Sequence, residues 1–150
     1  MTRQLSRKDM GFIRSARVAH LATVDRLGQP HVIPICFIFD GKRFYSPIDE
    51  KPKRTPVDQL KRVKNIRENP NVSLVIDRYD EDWSRLAYVL VHGKARILTS
   101  GVKYHGVVGL LRGKYRQYRA MAIDTRPMIQ ITPKRLKSWS GVSLRAAKVS

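Results

Sequence analysis

RVAHLATVDRLGQPHVIPICFIFDGKRFYSPI, residues 17–48, is the stretch whose reading decides the fold. Side chains alternate through 17–24, with Val18, His20, Ala22 and Val24 on one side and Ala19, Leu21 and Thr23 on the other. Both sets are apolar enough to predict a strand buried on both faces. Residues 25–29 turn the chain and a second strand is predicted over 30–40. The Asp40-Gly41 pair is a hairpin signal leading into a third strand over 43–48. Strands that follow one another without crossover helices make an antiparallel meander, not a doubly wound parallel sheet.

Upstream, Ser6 as N-cap, Asp9 three residues on, and Leu5 able to staple onto Met10 predict a helix over 7–15. Downstream comes KPKRTPVDQLKRVKNIRENPNVSLVID, residues 51–77. Here Thr55 is a good N-cap, Pro56 sits at the first helical position, Asp58 complements the helix dipole and Pro70 is the stop. Val57, Leu60, Val63 and Ile66 form a packing face, which leaves Lys61, Arg62, Asn65 and Glu68 outside it and Lys64 and Arg67 at its edge.

The rest reads as a strand over 71–77, an acidic loop over 79–83, and a long strand over 84–99 kinked or bulged at Gly93. A helix follows from about 100, with Tyr104, Val108, Leu111, Tyr115 and Tyr118 facing inward. A last strand over 128–139 and a frayed tail over 141–150 complete the chain. Six strands with few helices predict a mainly β, antiparallel barrel in a single domain spanning 1–150.

The 150 residues and 42% hydrophobic content suit one folded domain. No charged-apolar-small leader is evident, and the longest apolar run, 32–39, is too short to cross a bilayer, so a soluble cytoplasmic protein is expected. Cys36 is the only cysteine. An intramolecular disulfide is thereby excluded, and a buried, inert thiol is expected. The net charge of +18 is unevenly spread: residues 101–150 carry eleven Lys or Arg against the single acid Asp124. Such a surface attracts polyanions, whether nucleic acid or phosphorylated and polycarboxylate small molecules.

Motif absences narrow the chemistry. There is no GxGxxG, Walker loop, GxSxG or CxxC. His20, His31, His92 and His105 are dispersed, so no metal site is expected, and the adjacent acids 80–82 read as a solvated loop. An enzyme with this inventory takes its reactive atom from a bound cofactor. Lys51, Lys53 and Arg54 before a helix N-terminus make an anion site, with a merely solvated basic helix as the competing reading.

Three segments in order, HLATVDRLGQPHVIPICFIFDGKRFYSPID, EKPKRTP and KRVKNIRENPNVSLVIDRYDEDWS, closely resemble the pyridoxamine 5'-phosphate oxidase-like split β-barrel family. Within it, they resemble the branch of deazaflavin (coenzyme F-420)-dependent oxidoreductases. The resemblance covers about residues 12–99. It implies a split β-barrel with two or three peripheral helices, a homodimer with two cofactor sites between subunits, and hydride transfer to or from the coenzyme's ring. It implies that Lys53 and Arg54, or Lys61 and Arg62, hold the cofactor phosphate, and that the backbone at Ser46, Pro47 and Ile48 borders the ring. Trp83 either reaches the neighbouring subunit's ligand or caps the barrel.

A coenzyme F-420-dependent oxidoreductase of small-molecule substrates is therefore expected. The coenzyme's glutamate tail would follow cations such as Lys61 and Lys64. The alternatives are an FMN-dependent oxidase or reductase of the same fold and a non-enzymatic nucleic-acid-binding module. The last requires outward-facing tyrosines at 104, 115 and 118 for base stacking, against their helical spacing. A membrane-surface role ranks lower, because the apolar stripe of the basic helix is needed inside the fold.

Overall fold

The computed structural model describes residues 5–48, 56 and 59–142. The Ser6 hydroxyl accepts the Asp9 N–H at 3.0 Å and starts α1, Arg7–Ser15, which buries Ile13 against the barrel. The strands are β1 (Ala19–Val24), β2 (Pro30–Ile35), β3 (Ile38–Phe39), β4 (Phe44–Pro47), β5 (Asn71–Arg78), β6 (Ala87–Leu98) and β7 (Met128–Ser140). They form one seven-stranded sheet in the order β2-β1-β5-β6-β7-β4-β3, and every neighbouring pair is antiparallel.

That order closes the sheet. β2 and β3 occupy opposite edges, yet only Cys36 and Phe37 separate them along the chain. Two intervening residues hold the flanking Cα atoms within about 11 Å of each other, so the edges must meet. The sheet curls into an antiparallel barrel, split where the chain steps from one edge to the other. The predicted single strand over 30–40 is thus two strands. At the corner Phe37 turns fully inward, and Cys36 is partly buried rather than sealed.

The hairpin at Asp40 forms as its sequence requires. Asp40 Oδ1 accepts the Lys42 and Arg43 N–H groups at 2.9 and 2.7 Å, and Gly41 takes a φ of 96° that a side chain would resist. In β1 only one face is buried, with His20 exposed on the other, contrary to the two-sided burial predicted. Burial on both faces falls instead on β4. Inward, Phe44 joins the barrel core; outward, Tyr45 lies in a second core beneath α3, Val102–Lys114.

α2 spans Lys61–Glu68, five residues later than the predicted start at Pro56. Pro56 is exposed and its carbonyl accepts the Gln59 N–H at 2.9 Å in a turn, while Thr55, Val57 and Asp58 lie outside the described residues. Asn65, predicted to face solvent, is fully buried because its Nδ2 donates to Thr23 Oγ1 of β1 at 3.0 Å. β6 begins at Ala87, since Asp82 caps a short 3-10 turn at Trp83–Arg85. The bulge falls at His92/Gly93 as predicted.

α3 ends at Lys114, where Tyr115 turns extended, and 3-10 turns at Arg116–Ala120 and Ile123–Thr125 lead into β7. Tyr104, Tyr115 and Tyr118 are buried in the second core. No helix among the described residues is long and apolar enough to cross a membrane.

Candidate functional site

The expected residues that the structure describes lie at the end of β4, on α2 and in the turn before β6. β4 finishes at Pro47, opposite Met128, and Met128 in turn faces Leu98, the last residue of β6. From there the chain enters residues 49–58 and then α2, which packs on β1 and β6. Just past β1, Asp25 Oδ1 accepts the Leu27 and Gln29 N–H groups, each at 2.9 Å, while its Oδ2 meets Lys61 Nζ at 3.4 Å. The Gln29 N–H, with that of Leu27 and the Lys61 ammonium, holds the Asp25 carboxyl below its ordinary range.

Lys61 and Lys64 are exposed and Arg62 is partly buried. Leu60, the N-cap of α2, offers no side-chain cap, so an oxyanion at this end would meet N–H groups as well as cations. Ser46 and Ile48 are buried, and the Ile48 N–H donates to the Pro127 carbonyl at 3.1 Å. Neither side chain is open to a ligand. Lys53 and Arg54 lie outside the described residues.

Trp83 is elsewhere. Its turn joins Arg78 to Ala87, which pair at the far end of β5 and β6, whereas α2 enters the sheet at Asn71, opposite Lys94. Eight strand residues at about 3.3 Å each put some 25 Å between these ends. Trp83 is 57% exposed and does not cap the barrel.

Next to Trp83 is a cleft that the sequence did not disclose. About 500 Å³ in volume, it lies between α1 and the adjoining ends of β6 and β7. Tyr88 and Trp139 form one wall, their rings stacked 5.9 Å apart and 22° from parallel. Arg7, Lys8 and Arg78 bring positive charge to it, set against the Asp9 carboxylate, which accepts the Ser138 hydroxyl at 3.3 Å. A flat ring edged by anionic or hydrogen-bonding groups fits such a wall. The only sequence signal was an aromatic at the same side of each strand, visible once Tyr88 is known to face Trp139.

Three arginines at or against the end of α3 are engaged with backbone carbonyls. Arg112 donates to the Tyr118 and Met121 carbonyls at 3.1 and 2.9 Å, Arg119 to the Arg112 carbonyl at 3.1 Å, and Arg17 to the Lys114 carbonyl. Among the described residues no group of three or more His, Cys, Asp or Glu could hold a metal ion.

A family model for pyridoxamine 5'-phosphate oxidase matches residues 5–140. The chain belongs to this family. Among the family member's relatives is a 5a,11a-dehydrotetracycline/5a,11a-dehydrooxytetracycline reductase from Streptomyces rimosus, 26% identical over 135 residues, 89% of this chain and 82% of the relative. Solved structures share its fold, among them the following two. The conserved hypothetical protein Rv2991 from Mycobacterium tuberculosis superposes with a TM-score of 0.75 at 22% identity, covering 94% of this chain and 88% of that one. The haem storage protein HutZ from Vibrio cholerae gives 0.72 at 14% identity, covering 92% and 95%.

Proposed function

We propose that this family member is a homodimeric oxidoreductase that uses coenzyme F-420 to reduce or oxidise a small organic molecule. The observation that carries the reading is the separation, within one protomer, of a cationic end at β4 and α2 from an aromatic cleft at Tyr88 and Trp139. One protomer cannot bring both to one ligand across some 25 Å. A two-fold dimer brings the cationic end of each copy to the cleft of the other, making two equivalent composite sites. Val32, 60% exposed on the edge strand β2, is apolar surface of the kind such an association covers.

In the composite site Lys53, Arg54, Lys61 and Arg62 would hold the phosphate and Lys64 the start of the glutamate tail. The backbone of 46–48 would border one edge of the ring, and Trp139 with Tyr88, joined by Trp83, would close over it from the partner. When bound, the coenzyme would supply or accept the hydride, while the chain would bind it, orient its ring and exclude water. The relative named as a reductase of a polycyclic substrate supports the redox assignment. The nucleic-acid reading loses its stacking surface, because Tyr104, Tyr115 and Tyr118 face the second core.

The test is a side-by-side titration of the purified protein with coenzyme F-420, FMN and haemin, followed by subunit mixing. Tight binding of the deazaflavin over both competitors is expected. Arg54→Ala and Trp139→Ala should each bind poorly alone, and mixed protomers should regain up to half of the sites. A monodisperse monomer in light scattering, or preference for FMN or haemin, would overturn the assignment.

A further inference from the structure

A second cavity lies on the outer face of β1, β5 and β6, away from the Tyr88 and Trp139 cleft. It encloses about 490 Å³ and exists because three adjoining strands carry small residues there. Ala22 faces Ser73 across β1 and β5, and Gly93 follows His92 at the bulge of β6. Val24 and Pro30 supply an apolar side. At the floor Ser73 Oγ and His92 Nδ1 are hydrogen-bonded at 2.8 Å. His92 faces Arg135 across to β7, and Lys94 and Lys134 complete the rim.

No Asp or Glu is among the residues that line this cavity. The nearest acid along the chain, Asp25, is directed to its own turn and to Lys61. The charged side chains among the lining residues are therefore all cations, and where Ser73 donates to Nδ1 the ring's Nε2 is left as a donor for an anion. Without a carboxylate to orient His92 as a base, the pair is arranged for binding rather than for acyl transfer.

We propose that this cavity binds a small organic oxyanion, a carboxylate or phosphate monoester carried on an apolar body. The volume exceeds what an oxyanion alone requires, and the Val24 and Pro30 side gives the body its place. The site goes beyond the cofactor reading, since it rests on the cavity's own lining. The oxyanion has two possible sources: a separate small molecule, or the carboxylate tail of a bound coenzyme.

Phenyl phosphate and inorganic phosphate, each titrated into the full-length protein while the His92 ring resonances are followed by NMR, test the proposal. Phenyl phosphate should shift them saturably and bind roughly tenfold more tightly than inorganic phosphate, which lacks the apolar body. Lys94→Gln with Arg135→Gln, both at exposed positions, should melt as wild type and bind phenyl phosphate roughly tenfold more weakly. No saturable shift, or the same affinity in the double variant, would overturn the site. Competition by tail-bearing but not tailless deazaflavin supports it with the tail as occupant, and competition by neither form supports it with a separate anion.

Discussion

The hydroxyl of Tyr115 lies against both backbone groups of Phe37: it accepts the Phe37 N–H at 3.0 Å and stands 3.1 Å from the Phe37 carbonyl oxygen. Phe37 is where the chain leaves one edge of the sheet for the other, so no strand is available to pair it. Lys114 adds a donor to the same carbonyl at 3.0 Å, with its ammonium 4.0 Å from the Phe37 ring centroid. The barrel's split is thus satisfied by side chains that arrive from the end of α3.

Tyr115→Phe removes the only hydroxyl that meets the buried Phe37 N–H while keeping the ring. An unsatisfied buried donor costs about 1–3 kcal/mol. Urea denaturation should show a loss of that size with an unchanged slope, and a loss near zero would mean that water replaces the hydroxyl.

Lys114 makes this corner sensitive to pH. Burial, reinforced by the Arg17 charge, lowers its pKa from 10.5 to about 8, so the folded state gives up this proton before the unfolded state does. Between about pH 8 and 10.5 the unfolded chain holds more protons, and the Lys114 contribution to stability rises with pH. Tyr115 acts in the opposite sense at higher pH: burial raises it from 10.0 to about 12, and its contribution falls over that interval. Melting temperatures at pH 7.5 and 9.5 should therefore differ less in Lys114→Met than in wild type; an equal difference would contradict the assignment.

Gly93 leaves no room for a side chain. A Cβ there would stand 2.4 Å from the Thr132 carbonyl oxygen, and the obstacle is backbone of the neighbouring strand. Gly93→Ala should lose about 1–3 kcal/mol, measurable as a lowered melting temperature. Gly109→Ala, with open space around it, should lose nothing and serves as the control.

Coenzyme binding should depend on tail length in a salt-dependent way. Contacts from exposed lysines such as Lys61 and Lys64 are worth roughly 0–1 kcal/mol each and are screened within about 10 Å at moderate salt. Affinity should rise with the number of glutamates at low salt, and the increment should shrink at high salt. Arg54→Ala should lower affinity for every form by about ten to a hundredfold, the value of one charge-assisted hydrogen bond. Equal affinity for tailless and long-tailed forms at low salt would free the basic surface for another partner.

The features that the sequence determined by itself are those set by neighbours along the chain. Ser6 caps α1 three residues away, and Asp40 and Gly41 close a hairpin within four. Alternation and the basic helix, together with the resemblance they carry, were enough to specify the split barrel. Tertiary structure decided whatever depends on residues far apart in the chain. Asn65 is buried because Thr23, 42 positions away, offers it a partner, and no helical periodicity contains that. The strand over 30–40 breaks at Cys36 because β2 and β3 belong to opposite edges. Lys114 loses its solvation because Phe37 sits beneath it. Trp139 comes to face Tyr88 only because β7 lies beside β6, and that pairing separates the aromatic cleft from the cationic end by the length of a strand.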